Sequence, residues 1–202
     1  MKLYYSIGAC SLVIRIVLNE LKIPFETEAV NLMTKKTASH EDFLTINPKG
    51  AVPALILDNQ EVLTENAVIQ QYLVDHYNST TLLPPVGDFK RYRALEWLNF
   101  ITTELHKNCA PLFNPTLSEE IKKDIFKPIL DKKLKFIEQQ LQQNTYLLGN
   151  EFSLPDAYLF VILQWLPRLG IETNQYPAIN HYQTKLKQRP SIQQSLQEEG
   201  LS

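Results

Sequence analysis

Cysteine and glycine are scarce in this 202-residue chain, which has two cysteines, Cys10 and Cys109, and six glycines. Two cysteines so far apart make no disulfide framework, and such thin usage suits a reducing, cytoplasmic setting. An excess of either charge is also missing: 20 Lys and Arg stand against 22 Asp and Glu, a formal net charge of −2. That balance offers no electrostatic footprint for nucleic acid or an anionic membrane surface. The lysine pairs at 35–36, 122–123 and 132–133 read as solvated faces. Long apolar runs are absent, so no membrane span is predicted. The opening "MKLYYSIGACS" lacks the charged start and long apolar core of a signal peptide. The histidines His40, His76, His106 and His181 have no ligand spacing with one another or with the cysteines, so no metal site is expected.

What is present changes character near residue 80. Before it, strand and helix signals alternate. Strands are predicted at 2–6, 25–30, 51–58 and 61–64, with helices at 12–21 and 65–77 and a loop with a short helix at 34–46. Ser11 is placed to cap the first helix, and Pro24 to stop it. This order predicts a mixed four-stranded sheet with covering helices. "NSTTLLPPVGD" (78–88) reads as a linker, and helical patterns follow at 88–111, 118–143, 154–169, 178–189 and 191–198. The expected organisation is an α/β domain over 1–80, a linker over 81–87 and an all-helical domain over 88–202, with a cleft between the domains.

Several short segments carry candidate chemistry. Cys10 stands just before a helix, where the positive end of the dipole and unpaired backbone N–H groups favour a thiolate. The chain reads Cys10-Ser11-Leu12-Val13, so the second cysteine of a C-x-x-C redox pair is missing. A small buried cysteine fits this fragment equally well. In "NPKGAVPAL" (47–55), a cis bond before Pro53 would turn the Val52 backbone outward to pair with an extended peptide; an ordinary turn leading into a strand fits as well. In "LTENAVIQQYL" (63–73), Glu65 can accept an ammonium group, while Asn66 and free N–H groups can hold a carboxylate. An acidic helix cap accounts for the same residues. "FSLPDAYLF" (152–160) has a different purpose: Ser153 and Asp156 form a capping box, and Pro155 occupies the first turn.

Together, in this order and spacing, these segments resemble the cytosolic glutathione transferases, most closely the bacterial beta class, over essentially the whole chain. The resemblance implies a thioredoxin-like domain carrying the glutathione site, a helical domain completing an electrophile pocket, and a homodimer. Cys10 is similar to the class's active-site cysteine, able to form a mixed disulfide with glutathione. Val52, before Pro53, is similar to the residue whose backbone pairs with the cysteinyl unit of glutathione. Glu65 and Asn66 match the γ-glutamyl positions, although the family usually has serine in place of Asn66. Lys35 is similar to a lysine that reaches the glycyl carboxylate, and Tyr5 and Ala9 complete the expected glutathione contacts. Asn99 and His106, in "EWLNFITTELHKNCAPLF", match helix residues that approach the sulfur from the second domain. Ile7, Cys109, Phe113 and Trp165 are the expected walls of the electrophile pocket.

The function so implied is conjugation of the glutathione thiolate to small apolar electrophiles, with thiol–disulfide activity through Cys10. Glutathione is then a co-substrate, and no tightly bound cofactor is expected. Two alternatives stay open: a glutathione-dependent disulfide reductase, and a non-catalytic carrier of apolar ligands or interaction module.

Overall fold

The structure, a computed structural model, describes residues 1–201. The chain forms two compact units, one of residues 1–80 together with 188–202, the other of residues 81–187.

The first unit begins with β1 (Lys2–Tyr5), α1 (Leu12–Glu20), β2 (Glu26–Asn31), β3 (Lys36–Thr37), α2 (Phe43–Ile46), β4 (Ala54–Ile56), β5 (Val62–Thr64) and α3 (Asn66–His76). The strands lie in the order β3-β2-β1-β4-β5; β1 and β2 are parallel and the other pairs antiparallel. The mixed sheet therefore has five strands where four were expected. The additional strand, β3, is two residues long, too short for any alternation to show in the sequence. Leu3 and Tyr4 point to opposite faces of β1, and both are buried, so the sheet is covered on both sides. Tyr4 packs against Phe43 of α2 with ring centroids 5.7 Å apart, beside Val30, Val52 and Ala54.

Helix α1 buries Leu12, Val13, Ile14, Ile16, Val17 and Leu18. A helix apolar all round must be enclosed, and α3 packs on one side of it. The expected Ser11 cap is not formed. Ser11 has helical backbone angles and makes no cap bond. Its hydroxyl instead accepts from the Ser6 N–H at 3.1 Å and donates to the Ser6 carbonyl at 3.3 Å, closing the loop that carries Cys10.

In the second unit, α4 (Phe89–Phe100) runs through a π-helical stretch, Ile101–His106, into α5 (Lys107–Phe113). The sequence predicts one uninterrupted helix here. The hydroxyls of Thr102 and Thr103 donate to the Leu98 and Asn99 carbonyls, competing with the backbone for the acceptors of an α ladder. A second π-helical stretch, Lys122–Phe126, joins α6 (Glu119–Ile121) to α7 (Lys127–Gln143). Helices α8 (Leu154–Trp165) and α9 (Pro177–Lys187) complete the unit, and only Gln164 of α8 escapes burial.

The capping box at Ser153 and Asp156 is present, and it does more than start α8. The wholly buried Asp156 carboxylate accepts from the backbone N–H groups of Leu147 and Ser153, both at 2.9 Å, from the Ser153 hydroxyl at 2.7 Å and from the Tyr182 hydroxyl at 2.8 Å. It joins the start of α8 to the preceding loop and to α9. Asp156→Ala is therefore expected to cost about 2–3 kcal/mol, more than the roughly 1 kcal/mol of a lost cap alone, because several buried donors lose their acceptor. Chemical denaturation checks this; a loss below about 1 kcal/mol would show that the carboxylate acts as a cap and nothing more.

Two expected boundaries move. Leu82 and Leu83, placed in the linker, are buried, and the Leu82 carbonyl accepts from the Leu154 N–H at 3.1 Å. They belong to the second unit because an apolar pair gains more from burial than from solvent. The last helix, α10 (Pro190–Glu198), was expected in the helical domain and instead packs on α1 in the first unit. Ile192 and Leu196 are its buried apolar residues, and Arg189 and Ser191 bond the Glu20 carboxylate.

Candidate active site

In the first unit the loop after β1 delivers Cys10 to the turn before β4. The Cys10 thiol donates to the Val52 carbonyl at 3.1 Å, and the Val52–Pro53 bond is cis. From α3, the Asn66 amide donates to the Cys10 carbonyl at 3.0 Å. Burial pushes the Cys10 thiol up to about 12, over the opposing pull of backbone N–H groups and the Asn66 amide; the Glu65 charge adds to the rise. The expected thiolate is therefore not the resting state. The helix start does supply favourable dipoles, but removing the sulfur from water penalises the charged form more strongly.

Lys35 lies on the same side of the unit. Its ammonium donates to the Gly50 carbonyl at 2.7 Å. Gly50 itself has φ +61°, a backbone region that favours glycine, and a Cβ there would come within 3.1 Å of the Leu44 side chain. Glu65 also has a left-handed backbone, φ +72°, unusual for a residue with a side chain. Its carboxylate accepts from the Lys49 ammonium at 2.7 Å, and Lys49 also reaches the Thr64 hydroxyl at 3.0 Å.

The structure thus brings together Cys10, Lys35, Val52, Pro53, Glu65 and Asn66. Three other expected residues lie differently. The Tyr5 ring sits 4.5 Å from the Arg15 guanidinium, against α1. Ala9 packs against the Tyr4–Phe43 cluster. Ile7 is 61% exposed at the tip of the loop, beside a cavity of about 290 Å³ that is also lined by Ala29, Lys36 and Ala38. Asn66 is only 7% exposed and gives one side-chain N–H to the Cys10 carbonyl, while its backbone N–H, at the first position of α3, has no partner within the helix.

The second unit carries an aromatic cluster around His106. Its Nδ1 is 2.7 Å from the Tyr158 hydroxyl, and Trp165 meets the imidazole edge-on with centroids 5.0 Å apart. Phe113 in turn meets Trp165 at 5.6 Å. Burial lowers the His106 pKa to about 4, helped by the charge of Lys107, so the imidazole is neutral at physiological pH. Cys109 is fully enclosed, and burial raises its thiol to about 12. It is a core residue and lines no solvent-accessible wall. Asn99 is exposed on the far side of the π-helical stretch from His106, so the two do not share a straight α-helical face.

Comparison with known proteins follows the same two parts. The N-terminal domain family of glutathione S-transferases matches residues 8–76, and the C-terminal domain family matches residues 100–190. The chain is 40% identical to glutathione S-transferase GstA of Escherichia coli O157:H7 over 201 residues, covering all of both chains. The chain belongs to the glutathione S-transferase family.

Solved structures in this family agree. A sphingomonad glutathione S-transferase complexed with glutathione superposes with a TM-score of 0.95 at 42% identity, covering all of both chains. A bacterial beta-class glutathione S-transferase of Sphingomonas chungbukensis does so with a TM-score of 0.96 at 40% identity, again over both whole chains. Among the described residues no helix is long and apolar enough to cross a membrane, and no group of three or more His, Cys, Asp or Glu is placed to hold a metal ion.

Two residues of the site escape sequence reasoning. Lys49 stands inside the quoted "NPKGAVPAL", but a lysine in a turn reads as solvated. Tyr158 lies in an apolar helix run and reads as core, and nothing in the spacing announces its bond to His106.

Proposed function

We propose that this enzyme binds glutathione through the first unit and conjugates its thiolate to small apolar electrophiles, with Cys10 staying protonated. The Val52 backbone takes the cysteinyl unit, Lys35 the glycyl carboxylate and Glu65 the γ-glutamyl ammonium, as in the family pattern. The sphingomonad relative complexed with glutathione supports glutathione as the ligand. One observation carries the choice of nucleophile: Cys10 is a desolvated thiol bonded to a carbonyl and pushed up to about 12. An ordinary thiol ionises near 8.5, so glutathione's own sulfur is the more acidic of the two. His106 contributes as a neutral imidazole. Its Nδ1 bonds the Tyr158 hydroxyl, and in the tautomer where that hydroxyl donates, Nε2 carries the ring proton and is a hydrogen-bond donor. The sulfur's electron pair forms a C–S bond, and the electrophile's leaving group departs with its bonding pair. Trp165 and Phe113, packed edge-on in the second unit, supply an apolar surface of the kind a small electrophile needs. Assembly as a homodimer belongs to the same reading.

The second reading, disulfide reduction through a Cys10–glutathione mixed disulfide, is favoured by the Asn66 amide and backbone N–H groups that pull toward the thiolate. Two measurements separate them: intact-mass spectrometry after incubation with oxidised glutathione at pH 7, and the conjugation rate with 1-chloro-2,4-dinitrobenzene, on wild type, Cys10→Ala and Cys109→Ala. Conjugation is expected to survive Cys10→Ala within about tenfold, with little adduct on any form. A rapid adduct that only Cys10→Ala removes, together with lost conjugation, would establish the redox enzyme instead. No binding of glutathione at all would leave the carrier.

A further inference from the structure

Two carboxylates, Glu198 and Glu199, stand at the C-terminal end of α10. That is the unfavourable end of a helix for negative charge, because the last carbonyls already make it negative. Burial adds to the cost at Glu199, whose side chain has no exposure. Its partners account for the position. One oxygen accepts from the Arg15 Nε at 3.1 Å, and the other reaches the loop after β1, accepting from the Gly8 N–H at 2.9 Å. Gly8 stands just ahead of Ala9 and Cys10. We propose that Glu199 is a positioning residue of the transferase site: its carboxylate fixes the loop so that the Cys10 thiol stays on the Val52 carbonyl, beside the backbone that takes the cysteinyl unit of glutathione.

This rests on the glutathione-binding reading above and adds a residue to it from the far end of the chain. The loop has little of its own to fix its tip. Gly8 has φ +66°, and the neighbouring Ile7 is 61% exposed, so the tip gains little from packing. The Ser6–Ser11 clasp closes the base, and the Ala9 N–H donates to the Ser6 carbonyl at 3.0 Å. Glu199 ties the tip from outside, and a carboxylate–amide bond removed from water is stronger than a neutral one. Burial raises the Glu199 pKa, and the Gly8 N–H stands first among the groups that oppose the rise, ahead of Arg15. The arm that carries the carboxylate is itself held. Helix α10 is fastened along α1 by Asn19 on the Ser195 hydroxyl at 2.9 Å and by Arg189 on Glu20 at 2.8 Å. Beyond Glu199, Gly200 at φ +67° closes the helix, its N–H on the Gln197 carbonyl at 3.0 Å and the Leu201 N–H on the Leu196 carbonyl at 2.9 Å. A loop held in this way meets glutathione already ordered, and a released one must be ordered at the expense of binding.

Two double variants test this without leaving a fully buried lone charge: Arg15→Met with Glu199→Leu, and Arg15→Met with Glu199→Gln. The glutamine oxygen can still accept from Gly8, and leucine cannot. Both are compared with wild type in three measurements: iodoacetamide alkylation of Cys10, backbone hydrogen exchange, and conjugation of 1-chloro-2,4-dinitrobenzene at varied glutathione. The leucine form is expected to alkylate Cys10 about tenfold faster than wild type and to exchange the amides of residues 7–10 faster. Its KM for glutathione should rise about tenfold, with kcat within about threefold. The glutamine form should stay within about threefold of wild type throughout. In both forms the β1 amides should keep their protection and Cys109 should stay unlabelled. If the two forms behave alike, the Gly8 bond positions nothing and Glu199 serves only to pair Arg15. If the β1 amides of the leucine form exchange faster in step with the loop, opening of the whole unit explains the labelling, and the proposal falls as well. Wild type that shows no conjugation with glutathione would overturn the functional reading instead, while alkylation and exchange still decide whether Glu199 holds the loop.

Discussion

Alkylation of Cys10 by iodoacetamide in the ligand-free enzyme at pH 7.5 is expected to run about a hundredfold slower than alkylation of free cysteine. With the thiol pushed up to about 12, the thiolate fraction falls roughly three thousandfold below that of a thiol ionising near 8.5. The more basic thiolate is also more nucleophilic, which returns about thirtyfold. Ionisation decides the balance. The rate should climb about tenfold per pH unit from 7 to 10 without levelling. Sign matters for stability as well. The native thiol holds its proton where the unfolded chain has lost it, so this contribution is fully present below about pH 8.5 and is lost as pH rises toward 12. A plateau in the alkylation rate below pH 9, measured by mass spectrometry of the Cys10 peptide, would mean that the helix start overcomes desolvation after all. Cys109, fully enclosed, should stay unlabelled throughout.

Replacing Arg15 with Met should be the most destabilising surface-remote change in the first unit, at about 3–5 kcal/mol. Arg15 is a charged residue in the middle of an apolar helix, 3% exposed. Its Nε bonds Glu199 at 3.1 Å and its Nη1 bonds Glu198 at 3.0 Å, while its guanidinium lies over the Tyr5 ring. The Glu199 side chain has no exposure, and its other oxygen accepts from the Gly8 N–H at 2.9 Å. Removing the cation leaves that carboxylate buried and uncompensated. Glu199 already ionises above the usual carboxylate range because of burial, with Arg15 and Gly8 opposing the rise. Without Arg15 the rise grows, so the variant's deficit should shrink as pH falls and Glu199 takes a proton. The double change Arg15→Met with Glu199→Leu should recover much of the loss, because no fully buried lone charge remains; Glu198, the other partner of Arg15, is partly exposed. Thermal and urea unfolding between pH 5 and 8 check both statements. An Arg15→Met variant within about 1 kcal/mol of wild type, or a double variant no better than the single one, would show that the pair is incidental to how α10 holds the cysteine loop.

Much of the fold was readable from local pattern. The apolar stretch from Leu12 to Leu18, the hairpin around residues 57–61 and the capping box at Ser153 each depend on residues close in the chain, and each is present. The failures have a common form. Ser11 was a cap by type and became a loop clasp, because the Ser6 backbone came within reach. The helix over 88–111 acquired a π-helical stretch where two threonine hydroxyls competed for carbonyls. Helix α10 reads as an amphipathic helix wherever it is placed, and only its partner shows that it belongs with α1.

The candidate site divides along the same line. Sequence by itself determined which residue types stand at the turns: Cys10 before a helix, Val52-Pro53 before a strand and Glu65 at the start of α3. The steric and capping rules behind those positions act over a few residues. Only the tertiary structure decided their state. The protonated Cys10, the neutral His106, the Asn66 amide turned to the Cys10 carbonyl and the Lys49–Glu65 pair all follow from desolvation and from partners far away in sequence. Electrostatic free energy depends on what surrounds a charge in space, and that neighbourhood exists only once the chain has folded.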